Sequence, residues 1–175
     1  MNFVSKSLLN ISACATILLA TQAAAQTPPA IAGREGTVIT TFHAEGAQVY
    51  ECKPDPGKTQ SEGRPLTWQF REPIATLIVD GKSIGQHYAA PNWQHIDGSV
   101  VKGKIIASAP GATSRDIPWL ELELAEHGSE GIFSAATTVR RINTKGGVAQ
   151  GPCERAGDYL SVPYSADYVF LRVGL

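Results

Sequence analysis

The sequence predicts an all-β fold, a single-domain antiparallel β-sandwich or barrel of about nine or ten short strands. Three observations carry this. Past the N-terminal region the apolar residues recur with a period of two, not 3.6. Gly, Pro and Asp-Gly turn signals interrupt them at short intervals. No segment shows the long amphipathic stripe of a helix.

Taken in order, Val38 to His43 is rich in β-branched residues, and Gly46 to Cys52 alternates around Val49 and Tyr50. Lys53 to Arg64 is a polar loop. Leu66, Trp68 and Phe70 then alternate with Thr67, Gln69 and Arg71, the pattern of a half-buried strand. Ile74 to Val79 is an apolar run that ends in Asp80-Gly81, a hairpin turn signal, and Ser83 to Ala89 is the returning strand. Asp97-Gly98 and Gly103 divide the next region into short pieces, and Ile105 to Ala107 leads into a loop from Pro110 to Asp116. In Trp119-Leu120-Glu121-Leu122-Glu123-Leu124 the leucines take one face and the glutamates the other. Leu and Glu also favour helices, but the spacing fits a strand with one wet side. Gly131 to Ile142 leans towards β and closes at Lys145-Gly146-Gly147, and Tyr168 to Val173 reads as a last, buried strand.

The N-terminus predicts export. Lys6, the apolar run from Leu8 to Ala20 and the small residues Ala23-Ala24-Ala25 read as a signal peptide over 1–25, with Gln26 as the processed start. The run is short for a membrane span. Cys14 leaves with the signal, because the apolar run continues past it instead of closing there as a lipoprotein box would. Residues 26–36, with their Pro and Gly, read as a flexible lead-in, and 37–175 as the β domain. Of 15 basic and 16 acidic residues, only Lys6 lies in the leader, so the processed chain is slightly acidic. With no basic stripe, nucleic acid is not expected as a partner. After cleavage no segment is apolar enough to span a membrane. Cys52 and Cys153 remain, and an even pair in an exported chain predicts a disulfide.

The segment HYAAPNWQHIDGSVVKG, from His87 to Gly103, holds the densest set of functional side chains. His95 and Asp97 share a strand face by their spacing. With His87 they form a candidate metal set, or a general base with its orienting acid. The alternatives are a solvated His95, an Asp97 placed for its tight turn, and a buried His87 bonded to a backbone carbonyl. Trp93 and Tyr88 flank the irregular Ala-Ala-Pro-Asn loop. Pro91 cannot donate to a β-ladder, so the sheet is expected to break there and leave Trp93 at a rim. His87, Tyr88, Trp93, His95 and Asp97 are thus the candidate ligand-binding residues, as a platform for a small molecule or glycan. Trp68 and Trp119 are expected in the core. Ser99 and Ser165 sit in turn-like settings where hydroxyls bond the backbone, and no nucleophile motif accompanies them. Glu121 and Glu123 read as a solvated strand face.

Several stretches together resemble a known family. They include Gly46-Ala47-Gln48-Val49-Tyr50-Glu51-Cys52, Trp68-Gln69-Phe70, Gly85-Gln86-His87-Tyr88 with Trp93 and Asp97-Gly98-Ser99. Ile117-Pro118-Trp119-Leu120, Arg140 to Gly147, Cys153 and Val162 to Tyr168 complete the pattern. In order and spacing these resemble the exported bacterial and fungal family catalogued as domain of unknown function 3455. Ala90-Pro91-Asn92 departs from the Gly-Pro that commonly precedes the Trp93 position there. The resemblance implies export and one domain, and implies no activity.

The reading that results is a periplasmic or extracellular, non-catalytic binding protein with no cofactor. Its partner would be a small molecule or glycan. An enzyme using His87 and His95, with or without a metal, is the second reading. An envelope module that recruits a partner strand at an open sheet edge is the third.

Overall fold

The structure is a computed structural model, and it describes residues 28, 31, 35–59, 63–89, 91–125 and 130–174. The signal segment lies outside these residues, as does most of the lead-in. Eight antiparallel strands follow one another in chain order and close into a barrel. They are β1 (Gly36–Pro54), β2 (Leu66–Val79), β3 (Lys82–Tyr88), β4 (Asn92–His95), β5 (Val100–Ala109), β6 (Trp119–Ala125), β7 (Thr138–Gly146) and β8 (Tyr159–Val173). The seam between β1 and β8 runs from Gly36 opposite Val173 to Glu51 opposite Tyr159. The ring closes where the short strands β3 and β4 bridge it, but residues 66–74 of β2 pair with β1 alone and residues 104–109 of β5 with β6 alone among the described residues. No helix occurs among the described residues, and none is long and apolar enough to cross a membrane.

The strands are fewer and longer than the sequence suggests, because residues read as breaks serve packing instead. Val38–His43 and Gly46–Cys52 run on as one strand of 19 residues. At Gly46 the β2 backbone of Ile74 and Ala75 lies where a Cβ would be. Gly103 sits inside β5, and a Cβ there would lie 3.0 Å from the Trp93 ring. Two bulges shift the inward phase. Arg71 is the extra residue where β2 pairs with Val49 and Tyr50, and Ile106 is the extra residue where β5 pairs with β6. The inward set thus changes from Pro73, Ala75 and Leu77 to Phe70, and from Val101, Gly103 and Ile105 to Ser108. Bulges of this kind commonly bend strands at barrel rims.

Inward positions are mostly apolar, while His43, Glu45, Thr76, Gln86, Lys104 and Glu123 are exposed on the outer face. That polarity is the reverse of a lipid-facing barrel. One end is filled. Phe133, from the segment between β6 and β7, is fully buried against Phe42 and Phe170, with ring centroids 6.0 Å and 4.5 Å away. Asp97 ties this plug to the β4–β5 turn. Its Oδ2 accepts the Ile132 N–H at 2.8 Å, and its Oδ1 accepts the N–H and hydroxyl of Ser99 at 2.8 and 2.6 Å.

The outer face also carries a small cluster. Ile31 is buried beside Trp119 and Ala109, so the lead-in is docked at that position. Trp119 is therefore buried outside the barrel, not in its centre, and Trp68 is only half-buried. Glu121 departs from the expected wet face. It is 3 % exposed, with the Arg140 Nε donating to its Oε2 at 2.9 Å. Its neighbour Glu123 is exposed as expected. The Cys52–Cys153 bond joins the far end of β1 to the segment before β8, across a sequence separation of 101. A loop of that length is associated with roughly 4–5 kcal/mol of stabilisation in chain-entropy models.

Candidate functional site

The end carrying the disulfide is not filled. A cavity of about 580 Å³ opens there, between the upper halves of all eight strands. That volume falls within the roughly 300–1,000 Å³ of small-molecule sites. Its floor is Trp93, Tyr168 and Leu122, its walls include Gln48, Tyr50, His87, Leu120 and Arg141, and Phe70, Ile105, Ser108 and Pro118 stand towards the mouth.

Alternation along each strand explains this set. His87 on β3 pairs directly with Trp93 on β4, and both point inward. Their rings stack with centroids 4.6 Å apart, and Tyr168 lies against His87 at 4.9 Å. Trp93 can sit in the centre because Gly103 on β5 has no side chain to exclude it. This corrects the expected rim position. The sheet is irregular at Pro91, but Trp93 is 1 % exposed. Pro91 itself lines the cavity mouth.

His87 is 3 % exposed, and its Nδ1–H donates to the Asn92 carbonyl at 2.9 Å. That bond leaves Nε2 as the lone-pair nitrogen. Burial holds the imidazole pKa down to about 3, the Asn92 carbonyl opposes this, and the nearby Arg141 charge adds to it. The ring is neutral at ordinary pH. Tyr168 is buried, and desolvation raises its phenol. Tyr50 donates its hydroxyl to the Gly147 carbonyl at 2.7 Å. Gln48 Nε2 and Trp93 Nε1 are buried without a hydrogen-bond partner. The Gln48 amide lies close enough to Tyr164 to lower its hydroxyl pKa slightly, but it makes no bond of normal geometry there.

Arg141, partly buried, lines the cavity wall, as does Arg71. On β7 Arg141 stands between Leu120 of β6 and Tyr168 of β8. Its Nε and Nη2 donate to the Pro118 carbonyl at 3.0 and 2.8 Å. No Asp or Glu lines the cavity, and among the described residues Arg141 has no carboxylate partner. Arg71 differs. It lies nearer the surface, 3.3 Å from Glu72, with its guanidinium over the Tyr159 ring.

The remaining expected site residues do not join this set. Tyr88 alternates to the outer side and is half-buried. His95 points inward but at the filled end, stacked on Phe42 at 5.7 Å, with its Nδ1 3.1 Å from Asp97 Oδ1. Asp97 holds the plug, and its pKa is lowered chiefly by the Ser99 hydroxyl and further by the Ile132 and Ser99 N–H groups. His87, His95 and Asp97 therefore do not converge, and no group of three metal-ligating side chains occurs among the described residues. Sequence reasoning missed Gln48, Tyr50, Tyr168 and Arg141 as site residues. The signal for Arg141 is present in hindsight: in Val139-Arg140-Arg141 strand alternation sends one arginine inward.

Fold and site together define a small, antiparallel, eight-stranded barrel with an aromatic-walled interior cavity open at one end. The chain belongs to the family described as protein of unknown function (DUF3455), whose model matches residues 32–172. No curated protein and no solved structure matches it.

Proposed function

We propose that this is an exported binding protein that holds a small organic molecule inside its barrel. The single observation that carries the reading is the cavity, ligand-sized and mostly apolar, with a few polar groups in its lining. Eight strands give a barrel interior about wide enough to fill with side chains or to hold one small ligand. Here the two options share one molecule, filled at one end and open at the other. Export is supported by the disulfide, which fits an oxidising compartment, and by the signal-like leader.

Binding is favoured over proton-transfer catalysis by the state of His87. A base with a pKa of about 3 is poorly matched to neutral pH, where an efficient general base has a pKa near 7. The test is occlusion. Ser108 is exposed at the mouth, so Ser108→Trp should fold normally and fill the entrance. Titration of 1-naphthamide, followed by calorimetry and Trp93 fluorescence, should show binding to the parent protein and at least tenfold weaker binding to the variant. Equal binding to both would place the ligand elsewhere and end this reading.

A further inference from the structure

We infer that the ligand is a monocarboxylate with an apolar or aromatic body, its carboxylate held by Arg141 in the wall of the cavity. The inference rests on the reading of the cavity as a binding site and names what that site selects.

The argument starts from the cost of placing a guanidinium in an apolar wall. A buried or half-buried charge is normally compensated by an opposite charge. Arg140, its neighbour in sequence, follows that rule on the outer face through Glu121. Arg141 does not. Its flanking wall residues are Leu120 and Tyr168, and its polar partners, the Pro118 carbonyl and the Tyr168 hydroxyl, are both neutral. That carbonyl occupies Nε and one Nη2 hydrogen. The guanidinium has five N–H donors, more than the Pro118 carbonyl and the Tyr168 hydroxyl engage, and a carboxylate is the group that Arg matches best.

The rest of the wall agrees in sign. Among the described residues no acidic side chain lines the cavity, so none of them repels an anion or competes for Arg141. A cationic ligand would find no counter-charge. A dianion such as a phosphate monoester would find only one guanidinium not already paired with a carboxylate, because Arg71 is engaged by Glu72 and His87 is held neutral by its burial. One positive charge suits one negative charge. Around Arg141 much of the lining is apolar, with Leu120, Leu122, Trp93, Ile105 and Phe70 among its residues. That surface fits a hydrophobic body, not a sugar with many hydroxyls.

Three matched probes test this on the full exported protein: 1-naphthoate, 1-naphthamide and 1-naphthylmethylammonium, titrated by calorimetry at neutral pH. The expected order is naphthoate tightest, about 10- to 100-fold ahead of the amide, as a charge-assisted bond replaces a neutral one, with the ammonium weakest. Arg141→Gln should remove the preference for naphthoate, bringing naphthoate and amide affinities within about twofold of each other. Arg141→Lys should keep part of it, since a point charge replaces the fork. Should Arg141→Gln fail to fold for want of a donor to Pro118, the order among the probes on the parent protein and on Arg141→Lys still decides. Naphthoate and amide binding the parent equally would overturn the anion assignment while leaving the cavity a binding site. A preference that survives in folded Arg141→Gln would overturn it as well. If none of the three probes binds the parent, the cavity reading falls and this inference falls with it.

Discussion

At the filled end of the barrel, Phe133 closes on Phe42 and Phe170, and Asp97 pins the plug from below. At the open end, Trp93 and Tyr168 form a floor and none of the described residues fills the space above it. The two ends use the same material. Each has a histidine pointing inward and stacked on an aromatic ring: His95 on Phe42 at an interplanar angle of 9°, His87 on Trp93 at 12°. What differs is the polar partner. His95 lies against Asp97, part of the network that holds the plug. His87 bonds only a backbone carbonyl and sits beside a cation that lacks a carboxylate. Polar groups that satisfy one another make scaffold, and polar groups left to converge on a cavity make a site.

The largest expected difference between the two ends is in their response to acid. His87 has its folded pKa depressed to about 3, below its ordinary 6.5. Below pH 6.5 the unfolded chain binds this proton and the folded protein does not. Its contribution is therefore present above pH 6.5 and is lost as pH falls towards 3. The loss approaches about 1.4 kcal/mol per pH unit, up to roughly 4–5 kcal/mol in all. The groups around the ring are Trp93, Tyr168, the Asn92 carbonyl and the Arg141 charge. None of them titrates in this window. Urea unfolding between pH 7 and pH 3 should show a shallower pH slope for His87→Gln than for the parent. Parallel slopes would mean the ring is protonated inside the fold.

Next in size is the plug. Phe133→Ala should cost about 3–5 kcal/mol in unfolding free energy. Naphthoate affinity at the open end should stay within about twofold, because Phe133 does not line the cavity. A matching loss of affinity would show that the two ends are one mechanical unit. The smallest effect is expected at the latch. Ser99→Ala removes one hydroxyl bond to Asp97 and should cost about 1 kcal/mol. It should also raise the Asp97 pKa, measurable by NMR titration, since the Ser99 hydroxyl is the main cause of its depression. An unmoved Asp97 titration would assign the latch to the backbone N–H groups alone.

Much of this architecture was readable along the chain. Alternation in Trp119–Leu124 placed the leucines inside correctly, because period two fixes side-chain faces without knowledge of the partner strand. Asp80-Gly81 marked its hairpin, with both residues at positive φ. Cys52 and Cys153 followed from parity and compartment. Strand count was readable to within one or two, and the excess came from breaks such as Gly46 and Gly103, which are turn formers in isolation and become packing devices only against particular neighbours.

The site shows the same division. His87 and Trp93 could be named from sequence, but not their burial or that they face Arg141. That pairing needs β3 and β4 to meet β7 and β8 across the barrel, between residues some fifty positions apart. Composition and periodicity determined the class of fold, the pairing of the cysteines and the inward face of most strands, because these depend on local pattern and count. Closure of the ring, the bulges that turn Phe70 and Ser108 towards the mouth, and the choice of Arg141 over Arg140 as the inward arginine were decided only in three dimensions. Each depends on register, and a one-residue change of register exchanges inside for outside.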